Sequence, residues 1–131
     1  LAGPAVNVTG TVADVRPWLQ HAAVVVAPLR LARGIQNKIL EAMAMARPVV
    51  AAAACVEAMR AVPGRELGVA GSVDDYAREV GALLAEPARG AAMGAAARER
   101  VLRDYSWDAH LAAFDRHLGA VKKQPAQAAA A

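Results

Sequence analysis

The sequence predicts an α/β fold in which helices flank a parallel β-sheet. Short apolar segments rich in Val and Ala alternate with amphipathic segments, and this alternation is typical of βαβ units with right-handed crossovers. The run at 23–29 shows no polar alternation, which indicates a strand buried on both faces, as in a parallel sheet. The chain has 131 residues, 56% of them apolar, which is enough for one compact core.

The first half of the chain is predicted to contain three strands and two helices. Asp14 offers a side-chain cap for the first helix, and Pro48 ends the second because proline cannot continue a helix. In chain order we expect a strand at 6–9, a helix at 14–22, a strand at 23–29, a helix at 35–47 with Ile39, Leu40, Met43 and Ala46 on one face, and a strand at 49–53.

The second half is predicted to be mainly helical. Ser72 and Asp75 have the spacing of a capping box, and Ser106 offers a cap for the last helix. We expect a short helix at 57–62, a weak strand at 67–70, a helix from 72 with Tyr76, Val80, Leu83 and Leu84 on its buried face, a helix at 88–104, and a last helix with Trp107, Leu111, Phe114 and Leu118 on its apolar face. Residues 1–121 are predicted to form one partial domain, and 122–131 a flexible Ala-rich tail with nothing to bury.

Composition excludes several classes of protein. The single Cys55 cannot form an internal disulfide or a multi-cysteine metal site, which fits a reducing compartment and predicts a cytoplasmic location. The apolar run at 22–29 is too short to span a membrane. The net charge is +3, but aromatic residues make up only 4% of the chain, so nucleic acid is not an expected partner. The arginines at 89, 98, 100 and 103 indicate a solvated face or, alternatively, contact with an anionic membrane surface.

One loop carries the features of an anion site. It runs from 28 to 38, between the most apolar strand and the best helix, and it contains Arg30, Arg33, Gly34 and Lys38. The amides and the dipole at the start of a helix favour negative charge, and glycine lets the backbone approach a ligand closely. This loop is therefore predicted to bind a phosphate group.

Glu41 lies one helical turn after Lys38 and projects from a neighbouring point. A carboxylate repels phosphate, but its two oxygens suit the diol of a ribose. Phosphate and ribose together indicate a nucleotide. The alternative interpretation is an ordinary exposed Lys–Glu helical pair of small energetic value.

The stretch Asn37-Lys-Ile-Leu-Glu-Ala-Met-Ala-Met-Ala-Arg-Pro-Val-Val50 resembles the donor-site segment of the GT4-like glycosyltransferases of the GT-B fold. The segments at 8–19 and 27–38 look most like the subgroup of sugar transferases associated with bacterial exopolysaccharide systems. Ser106-Trp107 fits the start of a late helix in the family. The resemblance extends to about Leu118.

This resemblance implies a Rossmann-like sheet in the C-terminal half of a GT-B architecture, truncated at its N-terminal side. It implies the donor-binding part of a retaining glycosyltransferase, which moves a sugar from a nucleoside diphosphate sugar to a saccharide or lipid-linked acceptor in bacterial polysaccharide biosynthesis. No metal or other cofactor is implied. The expected partners are an N-terminal acceptor domain of the same chain, without which we expect no turnover, and the inner membrane as a peripheral contact. The alternatives are a non-enzymatic nucleotide-sugar-binding or scaffold domain, or a GT-B-fold nucleotide-sugar epimerase.

The resemblance also assigns site residues, although no catalytic residue is assigned. Glu41 corresponds to the second acid of the family's E-x7-E motif and would bind the donor ribose. Position 33, where the first acid belongs, is Arg. The remaining expected contacts are Arg33, Gly34, Ile35 and Lys38 for the diphosphate, Gln36 and Asn37 for the sugar or phosphate, and Gly10, Thr11 and Val12 for the base.

Overall fold

A computed structural model describes residues 3–31 and 34–122, with positions 110, 113 and 120–122 as backbone only. In this part of the chain, six helices and three strands form an α/β domain. The elements are α1 (Arg16–His21), β1 (Val25–Ala27), α2 (Asn37–Ala44), β2 (Val49–Ala51), α3 (Ala53–Ala58), β3 (Gly68–Val69), α4 (Val73–Ala85), α5 (Pro87–Asp104) and α6 (Trp107–Lys122).

The three strands form a parallel sheet in the order β1-β2-β3, as the sequence predicts. Val25 lies opposite Val49, and Val50 lies opposite Gly68. Because all three strands run the same way, their carboxyl ends meet at one edge of the sheet. The loop from β1 to α2 begins at this edge, where open α/β sheets bind their ligands.

Helices cover both faces of the sheet and bury β2 completely. Val49 and Ala51 belong to a cluster with residues of α2 and α3, including the buried Cys55. Val50 belongs to a second cluster, on the other face, with Leu83 and Met93. The sheet therefore has a layer of helices on each side.

Two predictions for the first twenty residues are wrong. The predicted strand at 6–9 is absent, because Val6 exchanges both backbone hydrogen bonds with Gly3, at 3.0 Å each, and so closes a local turn. Asp14 is not the N-cap of α1, which begins at Arg16 after Val15. Its carboxylate instead accepts a hydrogen bond from the Arg16 amide at 2.9 Å, which forms a local turn before the helix.

The predicted strand at 23–29 is observed, but only as β1, and Val26 is 42% exposed. The expectation of burial on both faces is wrong for this residue because β1 is an edge strand of the described sheet. The strand predicted at 49–53 ends at Ala51, and the helix predicted at 57–62 begins already at Ala53. Alanine in this run favours the helix over the strand.

The helix predicted at 35–47 is confirmed as the shorter α2. It ends in a Schellman motif: Ala46 has φ +55°, its amide donates to the Met43 carbonyl at 2.9 Å, and the Arg47 amide donates to the Ala42 carbonyl at 3.0 Å. Ala46 is therefore not on the apolar face of the helix but in the turn that ends it.

The later elements agree better with prediction. The capping box of α4 is present, α5 starts one residue before the predicted 88, and Ser106 Oγ accepts a hydrogen bond from the Ala109 amide at 3.2 Å. The strand predicted at 67–70 is β3. Leu84 is exposed rather than buried, and so is the apolar face of α6 formed by Trp107, Leu111, Phe114 and Leu118. The predicted tail at 122–131 lies outside the described residues except for Lys122.

Helix α5 packs closely on the turn between α2 and β2. Gly94 contacts the backbone of Ala46 and Arg47 so closely that a Cβ built on it would overlap the Ala46 carbonyl. Gly90, one turn earlier, faces the ring of Pro48. The guanidinium of Arg98 donates to the Ala44 carbonyl at the end of α2. These contacts fix the carboxyl end of α2, the helix on which Lys38 and Glu41 lie.

Candidate functional site

The start of α2 has the properties of an open anion site. The loop reaches it through Gly34, which adopts φ +63°, and the N-cap Gln36 makes no side-chain cap hydrogen bond. The Gln36 carbonyl accepts the amides of Ile39 and Leu40, whereas the amides of Asn37 and Lys38 donate to no backbone acceptor in the described residues. The first turn contains no acidic residue, so the positive end of the helix dipole is not compensated.

Helix α4 shows the opposite arrangement. Ser72 Oγ accepts a hydrogen bond from the Asp75 amide at 3.1 Å, and Asp75 Oδ2 accepts one from the Ser72 amide at 3.0 Å. Its first turn also carries two acids, Asp74 and Asp75. The start of α4 is thus closed by its own side chains, while the start of α2 is left open to an external anion.

Lys38 and Glu41 both lie exposed on α2. They form no ion pair with each other, and neither forms one with any other described residue. The alternative interpretation of a helical Lys–Glu pair is therefore not supported by their geometry. Both side chains are available to a ligand.

Glu41 lines a cavity of about 430 Å³ between α1 and α2, which we call the Glu41 cavity. Its walls combine apolar surface with a few polar groups at the rim, as is typical of small-molecule sites. The lining residues are Ala13, Asp14, Val15, Arg16, Leu19, Glu41, Ala44 and Met45.

Asp14 and Arg16, which both line the Glu41 cavity, form a bidentate ion pair. Arg16 Nε donates to Asp14 Oδ1 at 3.0 Å, and Arg16 Nη2 donates to Asp14 Oδ2 at 2.9 Å. The side-chain hydrogen bond from Arg16 lowers the pKa of Asp14, and the same bond raises the pKa of Arg16. Both groups therefore stay ionised near neutral pH and present an acceptor and a donor beside the apolar wall.

The residues predicted to contact the base immediately precede this wall. Gly10 has φ +66°, a conformation that suits glycine, and the segment through Thr11 and Val12 leads to Ala13, where the Glu41 cavity begins. Sequence reasoning missed Asp14 and Arg16 as lining residues because the acid was taken for a helix cap. An acid two residues before the arginine that starts the helix was the available signal.

The other predicted contacts surround the start of α2. Ile35 and Asn37 line a second cavity, of about 290 Å³, together with Leu40 and the junction of α5 and α6. Gln36 Nε2 donates to the Gly34 carbonyl at 3.4 Å. Arg33 lies outside the described residues.

A third cavity, of about 670 Å³, lies at the carboxyl ends of the strands. Arg30 lines it, and Tyr76 closes one side by donating its hydroxyl hydrogen to the Ala27 carbonyl at 3.1 Å. Neither Lys38 nor Glu41 is among its lining residues. Lys38 and Glu41 are thus on α2 and outside the lining of this third cavity. Glu41 lines the Glu41 cavity, and Lys38 follows Asn37, which lines the second cavity.

Within residues 3–31 and 34–122, no three His, Cys, Asp or Glu residues are grouped so that they could hold a metal ion. Over the same residues, no helix combines the length and the apolar character needed to cross a membrane.

A parallel sheet with helices on both faces, an open helix start after β1 and a carboxylate-lined cavity between α1 and α2 defines an α/β domain with a candidate ligand site. Comparison with known families identifies which one. A family model described as glycosyl transferases group 1 matches residues 1–86, and the chain belongs to this family.

Comparison with solved structures supports the same assignment. Sucrose-phosphate synthase from Thermosynechococcus elongatus superposes with a TM-score of 0.69 and 25% sequence identity over 82% of this chain. The match covers 28% of the sucrose-phosphate synthase chain. No curated protein sequence matches the chain. The fold is therefore that of a fragment of a GT-B glycosyltransferase, of which these residues form a small part.

Proposed function

We propose that this chain is the donor-binding part of a retaining glycosyltransferase that acts in bacterial polysaccharide biosynthesis. The reaction moves a sugar from a nucleoside diphosphate sugar to a saccharide or a lipid-linked acceptor. The observation that carries the proposal is the open start of α2, with Lys38 exposed beside it and Glu41 in a cavity one turn further on. Membership of the glycosyl transferases group 1 supports it.

In this proposal, each part of the donor has its own contacts. The amides of Asn37 and Lys38 and the ammonium of Lys38 hold the diphosphate. Arg33, Gly34 and Ile35 are proposed as further contacts of the same group. Gln36 contacts the sugar or phosphate. Glu41 accepts hydrogen bonds from the ribose diol. The base enters the Glu41 cavity, between the apolar side chains of α1 and α2.

The same groups would lower the reaction barrier. When the bond between the sugar and the diphosphate breaks, negative charge increases on the leaving diphosphate. Preorganised amides and a cation at that point stabilise the transition state more than the ground state. Lys38 and the first turn of α2 therefore serve both binding and departure of the leaving group, and the resemblance implies that no metal is required.

The acceptor is proposed to bind to an N-terminal domain outside these 131 residues. A cytoplasmic location and a peripheral contact with the inner membrane also remain proposals.

The arginines of α5 argue against a large basic membrane face, because each has an intramolecular partner. These pairs are Arg89 with Glu79, Arg98 with the Ala44 carbonyl, Arg100 with Glu66 and Asp104, and Arg103 with Asp104.

Calorimetric titration with UDP, GDP and ADP tests the proposal. We expect at least one of these nucleotides to bind, and Glu41→Ala to weaken its binding about tenfold through the loss of charge-assisted hydrogen bonds. The loss should disappear for the 2′,3′-dideoxy form of that nucleotide, because the diol that Glu41 contacts is then missing. Lys38→Ala should weaken binding of the diphosphate but not of the free nucleoside.

Glu99→Ala provides the matched control, since Glu99 is an exposed glutamate of α5 that lines none of the three cavities. This variant should bind as the wild type does. A scaffold without nucleotide binding predicts no heat of binding for any of the three nucleotides. That result, or an equal effect of Glu41→Ala on the ribose and dideoxy forms, would contradict the proposed site.

A further inference from the structure

The second cavity beside α2 shares Ile35 and Asn37 with the proposed diphosphate contacts, but its other lining residues have no role in those contacts. It lies between the start of α2 and the junction of α5 and α6, and we call it the Trp107 cavity. Its lining residues are Ile35, Asn37, Leu40, Tyr105, Ser106 and Trp107, and its volume is about 290 Å³. It thus adjoins the residues proposed to hold the diphosphate.

The junction that carries Trp107 is held firmly by the fold. Tyr105 donates its hydroxyl hydrogen to the Met59 carbonyl at 2.8 Å. Arg100 forms ion pairs with two acids: its Nε lies 3.0 Å from Glu66 Oε2, and its Nη1 lies 2.7 Å from Asp104 Oδ2. The Glu66 carboxylate is buried. The hydrogen bond from the Ala109 amide to Ser106 Oγ then fixes the first turn of α6. These contacts hold the first residue of α6, Trp107, beside α2.

The position of Trp107 is unusual for so large an apolar side chain. The residue is 82% exposed and lines the cavity. Aromatic side chains contribute most when a partner covers their faces, and among the described residues nothing covers this one. An exposed indole beside a cavity, on a helix start that the fold holds in place, offers a flat apolar surface to a ligand ring.

The chemistry of the lining restricts which ring would bind. The cavity contains no charged side chain, so it does not suit a second phosphate. Ile35 and Leu40 give it an apolar wall. The side-chain carboxamide of Asn37 supplies both hydrogen-bond donors and an acceptor. A pyranose fits this arrangement, because one face of the ring presents C–H groups and its edge presents hydroxyls.

The volume is compatible with one sugar ring. At about 290 Å³ it lies just below the roughly 300–1,000 Å³ of pockets for drug-sized ligands, so it suits a ligand of one ring. The cavity also opens beside Asn37, at the end of α2 where the diphosphate is proposed to bind.

We propose that the Trp107 cavity binds a pyranose, with the sugar stacked on the indole of Trp107 and its hydroxyls bonded by Asn37. The proposal rests on the proposed function for the location of the diphosphate. It gives the sugar a contact that does not depend on position 33. The same chemistry serves the sugar of the donor and the sugar of the acceptor, and the test separates the two.

Tryptophan fluorescence reports directly on this site. Trp18→Phe leaves Trp107 as the only indole in the chain. In this background we expect UDP-glucose or GDP-mannose to change the emission, and UDP or GDP alone to leave it unchanged, if the donor sugar enters the cavity. If the acceptor sugar enters instead, methyl α-glucoside or maltose should produce the change without a nucleotide.

Substitution of Trp107 provides the second readout. Trp107→Ala should weaken binding of the sugar-bearing probe about tenfold, which corresponds to the loss of an aromatic contact, without changing the affinity for UDP or GDP. Trp107→Phe should restore part of the loss because it keeps a ring. Leu111→Ala, an exposed apolar residue one turn along α6 that does not line the cavity, is the matched control.

The outcomes distinguish this inference from the proposed function. If nucleoside diphosphates bind but Trp107→Ala and Leu111→Ala behave alike with every sugar probe, the sugar site is refuted while the nucleotide site stands. If no nucleotide binds but a saccharide binds in a Trp107-dependent way, the sugar site stands and the nucleotide site fails. If no sugar probe changes the emission of Trp107, the inference is overturned.

Discussion

Side chains at the starts of α2 and α4 determine what each helix can bind. At α4, Asp75 accepts hydrogen bonds from Ser72 and Arg78, and these bonds lower its pKa to about 2. At α2 the corresponding groups are absent, and the cation Lys38 is present instead. The same backbone geometry is therefore used for a structural cap in one helix and for the candidate anion site in the other.

The capping role of Asp75 predicts a pH dependence of stability. Its folded pKa lies below the ordinary 3.8, so its contribution is complete above about pH 4 and is lost as the pH falls toward about 2. We expect Asp75→Asn to lower the melting temperature near neutral pH, and this difference from the wild type to vanish by about pH 2. Thermal unfolding followed by circular dichroism measures it.

Asp74→Asn is the control for Asp75, because it removes the same charge from the same helical turn but lies outside the capping box. It should lower the melting temperature less than Asp75→Asn at neutral pH. Equal effects of the two substitutions would indicate that the dipole, and not the capping box, accounts for the contribution.

At the residue scale, sequence reasoning identified side chains that a motif carries and missed those that only the fold brings together. Lys38 and Glu41 were found because they share one helix with a recognisable segment. Arg16 and Trp107 were not, because the first reaches the Glu41 cavity from α1 and the second reaches α2 from a position almost seventy residues later. No local pattern encodes such a contact.

At the scale of elements, the sequence predicted the order of helices and strands from β1 to α6 but not their ends. The helices predicted at 35–47 and 57–62 both ended too late. Ala46 and Arg60 adopt positive φ values in the turns that end α2 and α3, although neither is glycine. Helix-forming residues in these turns conceal the boundary. The first predicted strand failed for another reason: a strand needs a partner, and Val6 pairs only with Gly3.

The close packing of α5 against the end of α2 predicts a large cost for one methyl group. Gly94→Ala should lower the free energy of unfolding by about 1–3 kcal/mol, because the added Cβ overlaps the Ala46 carbonyl and the helices must separate. Gly81→Ala is the matched control within α4. Its Cβ meets nothing within 4 Å, so it should raise the free energy of unfolding by about 0.5–1 kcal/mol.

Urea denaturation measures both glycine variants. A Gly94→Ala chain as stable as the wild type would show that α5 does not hold α2 in the way the structure describes. If both substitutions stabilised the chain, helix propensity alone would account for the effects, and the tight contact would carry no energetic weight.

At the scale of the whole molecule, the parallel sheet with helices on both faces follows from the alternation of apolar segments, and this part of the prediction is confirmed. Burial of β1 on both faces is not, because Val26 is exposed at the edge of the described sheet. The exposed faces of β1 and α6 could not be predicted from local sequence. They depend on which elements lie beside them, and an apolar segment looks the same at an edge as it does at the centre of a sheet.

The central claim is that a nucleoside diphosphate binds across the start of α2 and the Glu41 cavity. Backbone amide shifts of the ¹⁵N-labelled chain during titration with UDP, GDP and ADP test it most directly, and they also detect weak binding. We predict that at least one nucleotide shifts the amides of 37–41 and 13–16 most strongly. Absence of shifts with all three nucleotides, or shifts confined to the opposite edge of the sheet around Pro48 and Gly90, would contradict the claim.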